Sequence, residues 1–101
     1  MNCYLLLLQY QVPVEQIMEV VADHRGYLTR FYEKGTILFS GIRHNREGGV
    51  IILKANSEEE VEEIAQNDPF FKKNLVTYEI IGFEARQYQE WLSNWLFDST
   101  F

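Results

Sequence analysis

The stretch TILFSGIRHNREGGVIILKA, residues 36–55, decides the fold because it contains two apolar runs separated by a polar loop. The two runs, residues 36–42 and 50–55, are rich in β-branched side chains, which favour strands. Residues 43–49 between them are polar and end in two glycines, a pattern typical of a hairpin loop. We therefore predict a β-hairpin in the middle of the chain.

A strand and a helix are predicted on the N-terminal side of this hairpin. Residues 2–10 form an apolar run with no turn residue, which indicates a strand. Residues 14–34 then carry apolar side chains at helical spacing. Pro13 suits the start of that helix, where its missing N–H costs nothing, and Gly35 suits the C-cap.

A helix and a strand are predicted on the C-terminal side. Ser57 and Glu60 match a capping box, which indicates a helix that ends at residue 66. Residues 75–84 form the last apolar run and are predicted to be a strand. The order strand, helix, strand, strand, helix, strand is that of the α+β, ferredoxin-like split β-α-β fold with an antiparallel four-stranded sheet.

We assign residues 1–84 to this domain and residues 85–101 to a C-terminal amphipathic helix and tail. The strands are apolar at consecutive positions, for example residues 5–8 and 50–53, so both faces of the sheet should be buried. We therefore expect a homodimer through the sheet faces. The C-terminal helix could instead cover its own sheet, or extend the contacts to give a higher oligomer. Its apolar stripe consists of Tyr88, Trp91, Leu92, Trp95 and Leu96.

Composition and charge exclude several classes of partner. The chain has 15 acidic and nine basic side chains, and no basic cluster provides the face that a nucleic acid needs. The longest apolar run, residues 5–8, is too short to cross a bilayer, and the N-terminus lacks the charged segment of a signal peptide. Cys3 is the single cysteine and cannot form an internal disulfide. We expect a cytoplasmic protein with no nucleic-acid partner and no membrane partner.

His24 is the first candidate for chemistry. It lies three residues after Val21 and four before Leu28, on the stripe of the first helix that faces the sheet. A half-buried imidazole needs hydrogen-bond partners, so one interpretation is a satisfied core histidine. The alternative is a proton carrier, because imidazole side chains titrate near neutral pH.

Asp68 is the candidate partner of His24. It precedes Pro69, so the second helix must end before it, and it suits the N-cap of a short turn that begins at the proline. In a split β-α-β sheet the second helix ends at the edge where the central hairpin turns. We therefore expect Asp68 near Ser40, Gly41 and the hairpin glycines, at a rim that His24 approaches from the first helix.

This combination of residues resembles the YciI-like (YCII-related) family, over residues 1 to about 84. Members are similar to dimeric ferredoxin-like α/β-barrel proteins, usually with a pocket that holds a histidine–aspartate pair proposed to be catalytic. One related member is a dehydrochlorinase that acts on a chlorinated hydroxyquinol. The resemblance rests on His24, on Ser40 and Gly41, on Gly48 and Gly49, and above all on Asp68, Pro69 and Phe70 after an acidic helix.

The resemblance implies that His24 and Asp68 form the catalytic pair. Asp68 would accept a hydrogen bond from one ring nitrogen and leave the other nitrogen free to take a proton. Ile42 stands where many members have proline, and the C-terminal helix is additional, so the rim and the assembly depart from the family pattern. The candidate substrate-binding residues are Ser40, Gly41, Arg43, Gly49 and Phe70.

These residues support more than one function. The first is a cofactor-free enzyme that uses the His-Asp pair for proton transfer, in an elimination or hydrolysis of a small cyclic or aromatic compound. The alternative is a non-catalytic small-ligand-binding or assembly module, in which His24 is a core residue and Asp68 a cap. A monooxygenase of the related barrel type, haem-handling or cofactor-independent, is a third option. We expect no metal, because two histidines without a ligand spacing do not make a zinc site.

Overall fold

The chain folds around one antiparallel sheet. The computed structural model describes residues 2–97. The strands lie in the order β2-β3-β1-β4, so β2 and β4 are the two edges. This is the predicted α+β, ferredoxin-like arrangement. The strand bounds are β1 Asn2–Tyr10, β2 Ile37–Ile42, β3 Gly48–Ala55 and β4 Val76–Phe83.

The core lies between one face of the sheet and three helices. Alternate residues of β1 point to this face, and Leu6 and Leu8 are buried there with Ile17 and Val61 from the helices. This face is called the helix face below. The helices are α1 Val14–Glu33, α2 Glu58–Gln66 and α3 Pro69–Lys72, and the C-terminal segment adds a 3₁₀ turn, Glu90–Leu92, and α4 Ser93–Phe97.

Local signals end α1 and begin α2 where the sequence places them. Gly35 has a positive φ of 76°, and its N–H donates to the carbonyl of Tyr32 across the helix end. Glycine adopts this left-handed conformation without the strain that a Cβ would introduce. At the start of α2, the Ser57 hydroxyl accepts a hydrogen bond from the Glu60 N–H at 3.3 Å, as predicted for the cap.

The central hairpin loop is shorter than the sequence predicts, because β3 already begins at Gly48. A Cβ on Gly48 would lie 1.8 Å from the carbonyl oxygen of Leu8, which is far too close for two atoms that are not bonded to each other. The glycine therefore lets β1 and β3 approach each other at the strand end, rather than completing a flexible loop.

The C-terminal segment crosses the sheet on its other face, called the open face below. The chain leaves β4 at one edge and reaches Gly35 beside β2, where the Trp95 indole N–H donates to the Gly35 carbonyl at 2.8 Å. Lys54 of β3, between these edges, donates its ammonium to the Trp95 carbonyl.

The helical part of this segment is shorter than predicted, since residues 85–89 are irregular. Helical structure begins only at Glu90, in the 3₁₀ turn that precedes α4. Residues 98–101 of the predicted tail lie outside the described part of the chain.

Candidate active site

His24 projects from α1 toward the core, as the helical spacing predicts. The neighbouring positions on the same stripe, Ile17 and Leu28, are buried. The His24 side chain itself is 13% exposed, so it lies at the border between core and solvent. An imidazole at such a border can have one nitrogen held by the protein and one accessible from outside.

Asp68 lies at the junction of α2 and α3, where Pro69 prevents α2 from continuing. Its side-chain Oδ1 accepts a hydrogen bond from the Phe70 N–H at 2.8 Å, so Asp68 is the N-cap of α3. The side chain is only 4% exposed, and a carboxylate so buried requires further polar partners.

The partner that the structure supplies is His24. The His24 Nδ1 lies 2.9 Å from Oδ1 and 2.8 Å from Oδ2 of Asp68. The expected hydrogen bond between the two residues is therefore present, although 44 positions separate them in the chain. Asp68 therefore caps a helix and contacts the imidazole at the same time.

This contact assigns the two imidazole nitrogens. An ionised carboxylate only accepts hydrogen bonds, so Nδ1 must carry the proton and Nε2 has the lone pair of the neutral ring. Within residues 2–97, Nε2 has no hydrogen-bond partner, and no buried side-chain nitrogen or oxygen lacks one. Nε2 is therefore accessible to solvent, as a proton acceptor must be.

Phe70 packs directly on the imidazole. The two rings are nearly parallel, with an interplanar angle of 10° and centroids 4.0 Å apart. The Phe70 side chain is only 2% exposed, so it lies behind the imidazole in the core instead of at an open rim. Its proximity to the pair was predicted, but its burial leaves little surface for a substrate.

Tyr27 is a neighbour of the pair that the sequence analysis did not single out. Its hydroxyl donates a hydrogen bond of 2.7 Å to the carbonyl of Ile64, which joins α1 to α2. Burial and the nearby charge of Asp68 raise the pKa of Tyr27 to about 12. Tyr27 follows His24 by three positions and so shares its helix face, which is the signal that could have identified it.

The polar rim residues are engaged elsewhere. The Ser40 hydroxyl lies 2.6 Å from the hydroxyl of Tyr32, near the end of α1. The Arg43 guanidinium donates to the side chain of Gln9 at 2.8 Å. Gln9 alternates with buried Leu8 along β1 and so points to the open face, on the other side of the sheet from His24.

The two predicted rim glycines pair within the sheet. Gly41 is opposite Val50, and Gly49 is opposite Leu8 and Ile42. Of the five candidate substrate-binding residues, only Phe70 has a contact with the His24–Asp68 pair among the hydrogen bonds and ring contacts of residues 2–97.

A groove of about 1020 Å³ lies between α1 and the α2–α3 region. Asp23 and Tyr27 line one side of the groove, and Asn67 and Pro69 line the other. These residues are chain neighbours of His24 and Asp68, but neither member of the pair lines the groove itself. In residues 2–97, no group of three or more histidine, cysteine, aspartate or glutamate side chains could hold a metal ion.

Comparison with protein families identifies the domain. The model of the YCII-related domain matches residues 3–84, which is most of the chain and includes all of the sheet except Asn2. The chain belongs to the YCII-related domain family. The C-terminal segment that crosses the open face lies beyond the matched residues of this YCII-related protein. No curated protein matches the sequence.

A solved structure supports the fold of this YCII-related protein. The chain is similar to 5-chloro-2-hydroxyhydroquinone dehydrochlorinase (TftG) from Burkholderia phenoliruptrix AC1100, in complex with 2,5-dihydroxybenzoquinone. The TM-score is 0.66 at 23% sequence identity, and the match covers 85% of this chain and 95% of that chain. Separately, no helix within residues 2–97 is long and apolar enough to cross a membrane.

Proposed function

We propose that this YCII-related protein is a cofactor-free enzyme that transfers a proton during elimination or hydrolysis of a small cyclic or aromatic compound. The observation that carries the proposal is the His24–Asp68 contact, with Nδ1 held at 2.8 Å and Nε2 left without a hydrogen-bond partner among residues 2–97. A core histidine with a purely structural role has no need of an accessible nitrogen opposite a buried carboxylate.

The arrangement suits general-base catalysis. Nε2 takes a proton from the substrate or from a water molecule, and Asp68 stabilises the imidazolium that results. In an elimination, the electron pair of the broken bond to hydrogen forms a new π bond, and the leaving group departs with its own electron pair. In a hydrolysis, the water that loses its proton to Nε2 attacks the substrate. The imidazolium then returns the proton to the leaving group or to solvent.

The substrate class is proposed from the structural neighbour. That protein is named as a dehydrochlorinase of 5-chloro-2-hydroxyhydroquinone, a hydroxylated aromatic ring. Hydroxylated and halogenated rings are therefore the first compounds to test on this chain. The buried free Cys3 is consistent with a reducing, cytoplasmic setting for this reaction.

We also propose that the protein acts as a homodimer through the open faces of two sheets, and that the C-terminal segment can extend the contact to a higher oligomer. Phe39, Ile81 and Phe83 are exposed large apolar side chains on the open face. Exposed apolar patches of this kind are typical of protein interfaces.

The catalytic proposal is tested with His24→Asn and Asp68→Asn, assayed for turnover of a panel of halogenated and hydroxylated ring compounds. We expect both variants to lose about 10²–10⁴-fold in kcat, the usual contribution of a positioned acid or base. His44→Asn is the matched control, because His44 is the other histidine and is exposed in the hairpin loop.

Unchanged turnover in both variants would contradict the catalytic role. The alternative, a ligand-binding module without chemistry, is favoured by the size of the groove between α1 and α2–α3. It predicts binding of panel compounds without turnover, and loss of stability in both variants.

A further inference from the structure

Phe70 contacts both members of the pair through different parts of one residue. Its main-chain N–H donates to Oδ1 of Asp68 at 2.8 Å, and its ring lies parallel to the imidazole of His24 at a centroid distance of 4.0 Å. No other residue within 2–97 has a hydrogen bond or ring contact with both members of the pair.

We propose that Phe70 is a positioning residue that fixes the imidazole plane of His24, so that Nδ1 faces Asp68 and Nε2 faces solvent. The inference rests on the proposed function for its catalytic consequence, but the orientation itself can be measured without a substrate. Phe70 acts through His24 and does not contact the substrate, because its side chain is only 2% exposed.

The stacked geometry restricts the ring in a way that the hydrogen bond does not. The hydrogen bond from Nδ1 to the two carboxylate oxygens, at 2.8 and 2.9 Å, holds only one edge of the ring and is lost on rotation of the imidazole about its Cβ–Cγ bond. A flat ring packed at an angle of 10° prevents that rotation, because any tilt would bring the two rings into overlap.

Phe70 is itself held from two sides. The ring of Tyr10 meets it edge-on with centroids 6.3 Å apart, and the Phe70 carbonyl accepts a hydrogen bond from the Leu75 N–H at 2.9 Å. Because the Phe70 ring is fixed in this way, it limits the movement of the His24 imidazole that packs on it.

The test replaces Phe70 with leucine, which fills similar volume but has no flat face. The readout is the ¹⁵N spectrum of the His24 imidazole, in which the two nitrogens differ when one tautomer dominates. We expect one tautomer, protonated at Nδ1, in the wild type and a mixture in Phe70→Leu. In the enzyme assay we expect kcat to fall about 10- to 100-fold with little change in KM.

Phe71→Leu is the matched control, because the neighbouring Phe71 packs against Tyr78 and has no ring contact with His24. Phe70→Tyr keeps the flat ring and should restore the wild-type imidazole spectrum. If Phe70→Leu does not fold, Phe70→Met replaces it, since the flexible thioether also lacks a flat face.

An imidazole spectrum in Phe70→Leu, or in Phe70→Met, that equals the wild-type spectrum overturns the proposal. If the wild type turns over no compound while the spectrum changes as expected, Phe70 still positions His24 and the proposed enzymatic function is the part that fails. The two failures are therefore distinguishable.

Discussion

The Asp68 carboxylate accepts hydrogen bonds from the Phe70 N–H and from the His24 imidazole, so one side chain makes two different contacts. The first contact is common at helix starts and follows from the sequence around Pro69. The second depends on the packing of α1 against α3, which brings the histidine to the cap. At the scale of the residue, capping the helix and contacting the histidine are therefore not alternatives.

Substitution of Asp68 should separate its two contacts. Asparagine is also a good N-cap, so Asp68→Asn should keep the bond to Phe70 N–H, whereas Asp68→Ala loses both bonds. We expect the free energy of unfolding, measured in urea, to fall by roughly 2–4 kcal/mol in Asp68→Ala and by about half as much in Asp68→Asn. Equal losses in the two variants would mean that the cap contributes nothing.

The raised pKa of Tyr27 predicts a loss of stability in alkali. Burial and then the charge of Asp68 raise the pKa from 10.0 to about 12, so the folded state keeps a proton that the unfolded state releases. The contribution is present below pH 10 and is lost as the pH rises toward 12. We expect Tyr27→Phe to lack this component when unfolding is measured across that range. The tyrosinate absorbance of the wild type minus that of Tyr27→Phe should appear near pH 12. Its appearance near pH 10, the ordinary value for tyrosine, would contradict the assignment.

At the scale of the element, β1 and the start of β3 lie too close together for a side chain at position 48. Gly48 has the Leu8 carbonyl where its Cβ would be, whereas a Cβ on Gly41 of β2 would have nothing within 4 Å. Both glycines lie in strands around the same hairpin, yet only one is required by packing. Glycine in a strand interior otherwise weakens the strand.

Alanine should therefore destabilise the protein strongly at position 48 and only slightly at position 41. We expect Gly48→Ala to lower the free energy of unfolding by about 3 kcal/mol or more, because β1 and β3 must separate to admit the methyl group. Gly41→Ala is the control and should change it by less than about 1 kcal/mol. Thermal and urea denaturation measure both, and a similar small effect at the two positions would argue against the close approach.

At the scale of the whole molecule, the open face determines the assembly that we propose. Phe39 on this face is 58% exposed, and Met18 on α1 is 62% exposed. We expect Phe39→Glu to shift the protein from dimer to monomer in sedimentation velocity, because a charge would be buried at the interface. Met18→Glu is the control and should leave the dimer intact. A wild-type protein that is a monomer at micromolar concentration would contradict the assembly.

The sequence predicts most of this architecture because its signals are local. Apolar periodicity, the Ser57 cap and the glycine at Gly35 are read within a few residues, and the structure confirms each of them. The His24–Asp68 contact was also expected, because local signals direct both residues toward one rim and the family resemblance pairs them. The contact itself depends on the packing of α1 against α3.

The features that the sequence did not predict depend on contacts between distant parts of the chain. The path of the C-terminal segment depends on contacts across the sheet, such as the hydrogen bond from Trp95 to Gly35, which no local pattern encodes. The side of the sheet that Arg43 reaches depends on its bond to Gln9. The geometry of Phe70 on the imidazole depends on how α3 docks against α1.

The imidazole and the carboxylate come from opposite sides of the central hairpin, 44 residues apart. A cut within the loop at residues 43–47 would leave each fragment with one β-α-β unit and one member of the pair. Neither fragment alone could perform the proton transfer proposed here, and activity would return only by complementation, when the two pieces reassociate. In the split protein, the recovered activity would therefore measure how well the two halves reassociate.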